Sequence, residues 1–312
     1  MICSNGPRRL SLSLDRLFSN YYLPLRLAGG SRKTIAAYQT AVNHWTRLVG
    51  SLAVSRIDTK RFAMFQRRLL ADVGAASTNT YCRHLMVLLH FAADEEVNLI
   101  GRAPKWSKLK EPKRTPLALT VEEFATVLET AQNLPGTIAG YSAAEWWTAL
   151  LLVCWETGLR YSALLMLLSV DVVWDSSGLY CQAEPQKDKE AMWFDLPPNV
   201  LDAIRAIYDP QRELLFPRDV TVETVGRWFR EILDASGVYA PKGCGMRFHR
   251  IRKSKASYTE ALGGNPTQAL GHSARSVTER YLDPRIVKPV KQPFMPSPVG
   301  GSSARPQLRI CG

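Results

Sequence analysis

The sequence lacks the signatures of several large protein classes. Its 312 residues contain no G-x-x-x-x-G-K-[ST] phosphate loop and no paired carboxylate-histidine metal motif, so neither ATP nor a metal cofactor is indicated. The six cysteines are scattered without a C-x-x-C pair, which fits neither a zinc ribbon nor a disulfide framework. No apolar run approaches the length of a membrane span, and the N-terminus lacks the apolar region of a secretion signal. We therefore expect a cytoplasmic protein without a membrane partner.

Negative charge is scarce relative to positive charge. The formal net charge is +12 and the isoelectric point is near 9.5. A basic balance of this size favours a polyanionic partner, because phosphate neutralisation releases counterions and drives non-specific binding of nucleic acid. A basic surface that only confers solubility is the alternative. The charge therefore supports a nucleic-acid partner without establishing one.

Four side chains suited to phosphodiester chemistry fall in one short stretch. His249 and Arg252 stand three residues apart, which places them on one face of a helix, and His272 and Tyr281 follow. Arginine presents a planar fork to non-bridging oxygens, histidine moves protons near neutral pH, and tyrosine can act as a covalent nucleophile. Each residue alone is more often an ordinary surface or capping residue. The combination predicts chemistry on a nucleic-acid strand.

The same residues carry a family resemblance. The segment HRIR resembles the H-x-x-R box of the tyrosine recombinase (phage integrase) family, LGHS resembles its L-G-H-S box, and Tyr281 lies at the usual nine-residue distance from His272. Upstream, ETGLRYSALLMLLSVDV resembles the first arginine box, with Arg160 as its arginine. Four boxes in the family's order make the resemblance specific, and it spans the chain to about residue 285.

The resemblance, together with the helical periodicity, predicts a mainly α protein with a small antiparallel β-sheet. Residues 1–101 are expected to form a helical, SAM-like core-binding domain, and residues 119–285 the catalytic domain. The Pro-, Lys- and Arg-rich residues 102–118 are interpreted as a basic linker that lets two domains close around a duplex, or alternatively as an inert spacer. Residues 286–312 are expected to form a flexible tail, which in the family commonly docks on a neighbouring protomer.

The resemblance implies a partner and a set of contacts. The partner is double-stranded DNA, bound by a homotetramer on two paired sites, whereas the free protein is a monomer or weak oligomer. Helix starts at Ser31 and Ser77 offer backbone amides to phosphates. The candidate DNA-binding residues are Arg32, Lys33, Lys60, Arg83, Lys105, Lys108 and Lys110.

The resemblance also assigns catalytic roles. Tyr281 attacks a scissile phosphate and forms a 3′-phosphotyrosyl link, while Arg160 and Arg252 bind the non-bridging oxygens. His249 accepts the phenol proton and His272 supports the phosphate. Lys187, in the turn before FDLP, protonates the leaving 5′-oxygen, although Lys189 lies only two residues away.

Three features depart from the family pattern. Ala163 stands where an acidic residue usually follows the first arginine, Lys253 replaces a frequent histidine, and the interval from Arg252 to His272 is slightly short. These changes leave two alternatives open. One is a DNA-binding protein without recombination activity, and the other is a nicking-closing enzyme of the type IB topoisomerase kind. The predicted function is site-specific DNA recombination or integration, with phage integration, transposon or other mobile-element movement, integron cassette exchange and chromosome-dimer resolution all open as roles.

Overall fold

A computed structural model describes residues 12–112, 115–183, 191–238 and 248–287. The chain divides into two compact units, Met1–Lys113 and Arg114–Gly312. Both units are largely helical, and the second also contains a three-stranded antiparallel sheet. The prediction of a mainly α protein with a small antiparallel sheet is therefore confirmed. Across the described residues, no helix is both long and apolar enough to cross a bilayer.

The described part of the first unit is a helical bundle. A π-helical segment, Phe18–Tyr22, joins its first two helices without a break. Pro24, just after this segment, cannot donate a backbone hydrogen bond. The helices are α1 (Leu14–Leu17), α2 (Leu23–Arg26), α3 (Arg32–Val49), α4 (Thr59–Asp72) and α5 (Ala75–Ala93).

Local sequence signals set the bounds of α3 and α4. Ser31 caps α3 by accepting a hydrogen bond from the Thr34 amide, and Asp58 caps α4 in the same way. The apolar stripes of α3, α4 and α5 pack into one core around Trp45 and Phe65, as their periodicity predicts. The predicted start of α5 at Ser77 is wrong, because the helix begins at Ala75 after Gly74 and Ser77 lies within its first turn.

Residues 103–112 form neither helix nor strand and run along α4 and α5. The Gln66 side chain donates to the Ser107 carbonyl at 3.0 Å. The Asn79 amide group donates to the Leu109 carbonyl at 2.9 Å and accepts from the Leu109 amide at 2.8 Å. These bonds hold the segment against α4 and α5.

The second unit surrounds one almost wholly apolar helix, α7 (Ala143–Thr157), whose Trp146, Leu150 and Cys154 are fully buried. Its main sheet is antiparallel, as predicted, and its three strands pair in chain order. A small hairpin that the sequence did not suggest, Thr137–Ile138 paired with Tyr141–Ser142, precedes α7. The remaining elements are α6 (Val121–Gln132), β1 (Thr137–Ile138), β2 (Tyr141–Ser142), α8 (Tyr161–Leu164), β3 (Val172–Val173), β4 (Gly178–Cys181), β5 (Met192–Asp195), α9 (Pro198–Ile207), α10 (Val222–Ala235), α11 (Phe248–Ala261), α12 (Pro266–Ala269) and α13 (Arg275–Thr278).

The end of the described chain folds back onto the start of the second unit. Asp283 is fully buried, accepts a hydrogen bond from the Ala118 amide at 2.8 Å, and pairs with Arg285 at 2.9 Å. Burial alone would raise the pKa of Asp283, but hydrogen bonds from Arg285 and the Ala118 amide outweigh it, and the pKa is lowered. Asp283 therefore joins the two ends of the unit as a carboxylate.

We expect Asp283→Ala to lower the free energy of unfolding by about 3 kcal/mol, because it leaves buried donors without their acceptor. The lowered pKa implies that this contribution is present above the ordinary Asp pKa of about 4 and is lost as pH falls through the folded-state value. Denaturant unfolding at pH 7 measures the effect, with the exposed Asp175→Ala as control. Equal losses in the two variants would contradict the assignment.

Candidate active site

Helix α11 carries two of the predicted site residues on one face, as their spacing requires. Arg252 is only 3% exposed, and its guanidinium is fixed by backbone carbonyls from two other segments. It donates to the Gly158 carbonyl at 2.6 Å and to the Leu270 carbonyl at 2.8 Å. A buried cation held by two carbonyls keeps its orientation.

His272 lies directly against Arg252. The His272 Nε2 atom is 3.1 Å from Arg252 Nη2, and its Nδ1 atom is 3.0 Å from Thr278 Oγ1. His272 follows Gly271, whose left-handed φ of +59° ends the α12 turn. The tight turn between α12 and α13 thus brings the histidine of LGHS beside the arginine of HRIR.

The Tyr281 ring sits between the two histidines. Its centroid is 5.0 Å from the His249 ring and 4.8 Å from the His272 ring, and the Arg252 guanidinium carbon is 5.8 Å from it. The structure therefore gathers Tyr281, His249, His272 and Arg252 into one cluster. Tyr281 itself lies outside the helix, because α13 ends at Thr278 and Tyr281 belongs to the turn that follows.

The backbone around Tyr281 is tied to α11. The Ser257 hydroxyl donates to the Tyr281 carbonyl at 3.2 Å and accepts from the Asp283 amide at 2.8 Å. Ser257 is fully buried on the same helix as His249 and Arg252. The turn that carries the phenol is thereby fixed to the helix that carries the imidazole and guanidinium.

His249 is adapted to accept a proton. Partial burial, followed by the positive charges of Arg252, Lys253 and Arg160, lowers the pKa of His249 to about 4. At neutral pH the imidazole is therefore uncharged and has a free lone pair on one ring nitrogen. An uncharged imidazole beside a phenol is the arrangement that proton removal from that phenol requires.

Arg160 lies on the short connection from α7 to α8, where its charge acts on the His249 imidazole. Stacking fixes the neighbours of both residues, since the Tyr161 and Phe248 rings lie parallel with centroids 4.4 Å apart. The Tyr161 hydroxyl also donates to the Val222 carbonyl at 2.6 Å. Of the unusual family positions, Ala163 is buried in the core and Lys253 is partly buried on α11.

The remaining predicted residues fall into two groups. Lys187 and its alternative Lys189 lie outside the described residues, between β4 and β5. The predicted DNA-binding side chains are all exposed on the first unit, with Lys108 paired to Glu111 at 3.0 Å. In the part of the chain that the structure describes, no group of three or more His, Cys, Asp or Glu side chains could hold a metal ion.

Several residues that shape the site were not predicted from the sequence. Ser257, Thr267 and Thr278 bond to the site from positions that no family box singled out, and Gly158 and Leu270 act through backbone carbonyls. A contact to a backbone carbonyl cannot be predicted from residue type, because every residue has a carbonyl. Thr278 lies between LGHS and Tyr281, and Thr267 lies just before that box; the sequence did not show that their hydroxyls would meet.

We expect Gly158→Ala to destabilise the protein more than Gly237→Ala. Both glycines have a left-handed φ, +60° and +67°, which costs an L-residue about 1 kcal/mol. A Cβ at residue 158 would also lie 2.9 Å from Lys255 Cβ and 3.0 Å from Leu270 Cδ2, whereas a Cβ at residue 237 meets no atom within 4 Å. The added crowding is worth about 1–3 kcal/mol, measurable by denaturant unfolding. Equal losses would show that packing at Gly158 is not tight.

We expect the His249 imidazole to make unfolding pH-dependent. Its folded-state pKa of about 4 lies below the ordinary value of 6.5, so the unfolded chain binds a proton first. The contribution is present above pH 6.5 and is lost as pH falls toward 4, by up to about 3 kcal/mol. Unfolding free energies from pH 7.5 to 4 should fall less steeply for His249→Gln than for the unchanged protein. Parallel curves would refute the lowered pKa.

Known proteins of similar sequence and structure fit this geometry. No family model matches the chain. A Pseudomonas syringae protein assigned as a tyrosine recombinase XerC is 21% identical over 276 residues, which is 80% of this chain and 58% of that protein. The chain thus spans little more than half the length of this curated relative.

Two solved structures have the same fold. A lambda integrase dimer bound to a COC′ core site has a TM-score of 0.72 at 19% identity, covering 91% of this chain and 100% of that one. A lambda integrase tetramer bound to a Holliday junction has a TM-score of 0.66 at 18% identity, covering 92% of this chain and 81% of that one. The resemblance to the tyrosine recombinase family that the four boxes predicted is therefore confirmed, and the chain shares the fold of these lambda integrase structures.

Proposed function

We propose that the protein is a site-specific DNA recombinase that cuts and rejoins strands through a phosphotyrosyl intermediate. The observation that carries this proposal is the cluster in which the Tyr281 phenol contacts two imidazoles and lies beside a buried guanidinium. Phenols, with an ordinary pKa of about 10, are protonated at neutral pH and need both a proton acceptor and a positive field to attack phosphorus. The cluster supplies both.

In the proposed reaction the Tyr281 oxygen bonds to phosphorus while the bond from phosphorus to the 5′-oxygen breaks. The phenol proton passes to His249, whose lowered pKa keeps it uncharged and ready to accept. Arg252 and Arg160 stabilise the charge on the non-bridging oxygens, and His272 supports the phosphate. Lys187 donates a proton to the leaving 5′-oxygen, a role for which Lys189 is the alternative.

The covalent link retains the energy of the phosphodiester, so rejoining needs neither ATP nor another energy source. Attack by the same 5′-hydroxyl restores the strand, whereas attack by a 5′-hydroxyl from a second duplex recombines the two. We infer a homotetramer on two paired sites, supported by the lambda integrase tetramer on a Holliday junction. The free protein is proposed to be a monomer or weak oligomer acting in the cytoplasm.

The division of labour follows the two units. We propose that residues 1–101 form a DNA-binding core-binding domain, residues 102–118 a basic linker and residues 119–285 the catalytic domain, with 286–312 as a tail. The exposed bases Arg32, Lys33, Lys60, Arg83, Lys105, Lys108 and Lys110 are proposed to contact DNA phosphates. The DNA-bound lambda integrase structure supports this arrangement.

The test is covalent trapping. The protein is incubated with nicked duplexes drawn from the sequence flanking its gene, denatured, and examined for a protein-DNA adduct. We expect an adduct with the unchanged protein and with Tyr180→Phe, which alters an exposed tyrosine on β4, and none with Tyr281→Phe. The nick lets the short cleaved strand diffuse away, so the adduct accumulates.

Other outcomes identify other functions. A shift of the DNA on a native gel, without any covalent adduct, would favour a DNA-binding protein that does not recombine. An adduct accompanied by relaxation of supercoiled DNA without site preference would favour a nicking-closing enzyme. An adduct that survives Tyr281→Phe would place the nucleophile elsewhere.

A further inference from the structure

Both ring nitrogens of His272 are engaged, and the chemistry of their partners fixes the tautomer. Arg252 Nη2, 3.1 Å from Nε2, can only donate, so Nε2 accepts from it and the ring proton of the uncharged imidazole resides on Nδ1. The Nδ1–H group then donates to Thr278 Oγ1 at 3.0 Å. The Thr278 hydroxyl also forms a hydrogen bond with Thr267 Oγ1 at 3.0 Å, in which either oxygen can donate. The bonds thus connect Arg252, through His272, to the two threonines.

Thr278 is placed to hold this arrangement rigidly. It is fully buried, and its carbonyl accepts from the Tyr281 amide at 2.8 Å. Thr267 is fixed in turn, because its carbonyl accepts from the His272 amide at 2.9 Å and its own amide donates to the Asn265 side chain at 3.0 Å. One threonine therefore bonds to the phosphate-supporting histidine through its side chain and to the nucleophile through its backbone.

We propose that Thr278 is a positioning residue for strand cleavage: its hydroxyl, backed by Thr267, holds the Nδ1 proton of His272 and aims Nε2 at the phosphate site. The proposal rests on the proposed function, because it assigns Thr278 a part in that reaction. The hydroxyl acts through His272 and does not touch the scissile phosphate.

The arrangement suits both protonation states of the histidine. In the free protein, Nε2 accepts from Arg252. When a phosphate is bound, an Nε2–H group formed by proton uptake from solvent can donate to a non-bridging oxygen, and Nε2 then no longer accepts from Arg252 Nη2. Thr278 Oγ1 accepts from Nδ1–H in both states, so the ring need not rotate between them. Loss of the hydroxyl would remove the partner that keeps the ring oriented.

The first experiment compares Thr278→Val, which removes the hydroxyl, with Thr278→Ser, which retains it. Single-turnover adduct formation on a nicked duplex is measured beside DNA affinity and the thermal unfolding midpoint. The exposed Thr126→Val serves as the control for a threonine-to-valine change in the same unit. We expect Thr278→Val to slow cleavage by up to about 100-fold, the scale of a misplaced catalytic group, with DNA affinity unchanged. Thr278→Ser should restore most of the rate.

Two results of this comparison would overturn the proposal. One is a Thr278→Val rate equal to that of the unchanged protein. The other is an equal fall in cleavage rate for Val and Ser that follows the loss in unfolding midpoint, which would make the residue structural only.

A second experiment reads the tautomer without cleavage. Imidazole ¹⁵N NMR of the protein without DNA distinguishes a protonated from a bare ring nitrogen, and His272→Gln identifies the signals. We expect a protonated Nδ1 and a bare Nε2 in the unchanged protein and in Thr278→Ser. In Thr278→Val, where Arg252 still donates to Nε2, we expect the same tautomer with an Nδ1 proton that exchanges faster with solvent, because it has lost its acceptor. A protonated Nε2 with a bare Nδ1 in the unchanged protein would overturn the proposal.

The two experiments also separate this proposal from the proposed function. If the unchanged protein forms no adduct while the NMR result is as expected, the recombinase function fails but the placement of His272 by Thr278 stands. If adduct forms normally in Thr278→Val, the function stands and the positioning role fails.

Discussion

The buried guanidinium of Arg252 is the interaction on which the rest of the site depends. It bonds at once to the turn after α7, through the Gly158 carbonyl, and to the turn after α12, through the Leu270 carbonyl. A cation withdrawn from water is tolerated only where such acceptors surround it, so the three segments must meet for the unit to fold. The folding of the unit and the placement of this guanidinium therefore depend on the same contacts.

Two glycine turns make that meeting possible. Gly158 and Gly271 both adopt left-handed backbone conformations, and a Cβ at either position would lie within 3.0 Å of a neighbouring side chain. Gly158 ends the most deeply buried helix of the unit, and Arg160 follows two residues later. The packed core therefore restricts the position of the Arg160 backbone.

His249 and His272 have the same side chain but different electrostatic surroundings. Burial and the neighbouring positive charges lower the pKa of His249, which keeps its imidazole uncharged at neutral pH. His272 is bonded at both ring nitrogens to groups that fix its orientation, which suits it to hold a phosphate. Identical side chains therefore take separate roles because their surroundings differ.

The sequence by itself determined the helices with clear caps and periodicity, the antiparallel pairing of the sheet, and the resemblance to the tyrosine recombinase family. Three helix starts follow from local capping residues, namely Ser31, Asp58 and the pair Thr120 and Glu123. The family boxes indicate the chemistry of the site through their residue types and spacing.

Only the tertiary structure decided how that chemistry is arranged. The turn that holds Tyr281, the carbonyls that bind Arg252, the burial that lowers the pKa of His249 and the hydroxyls of Ser257 and Thr278 all arise from contacts between distant segments. The sequence contains no local record of such contacts, because burial and backbone hydrogen bonding depend on which segments meet and only weakly on the residue that makes them.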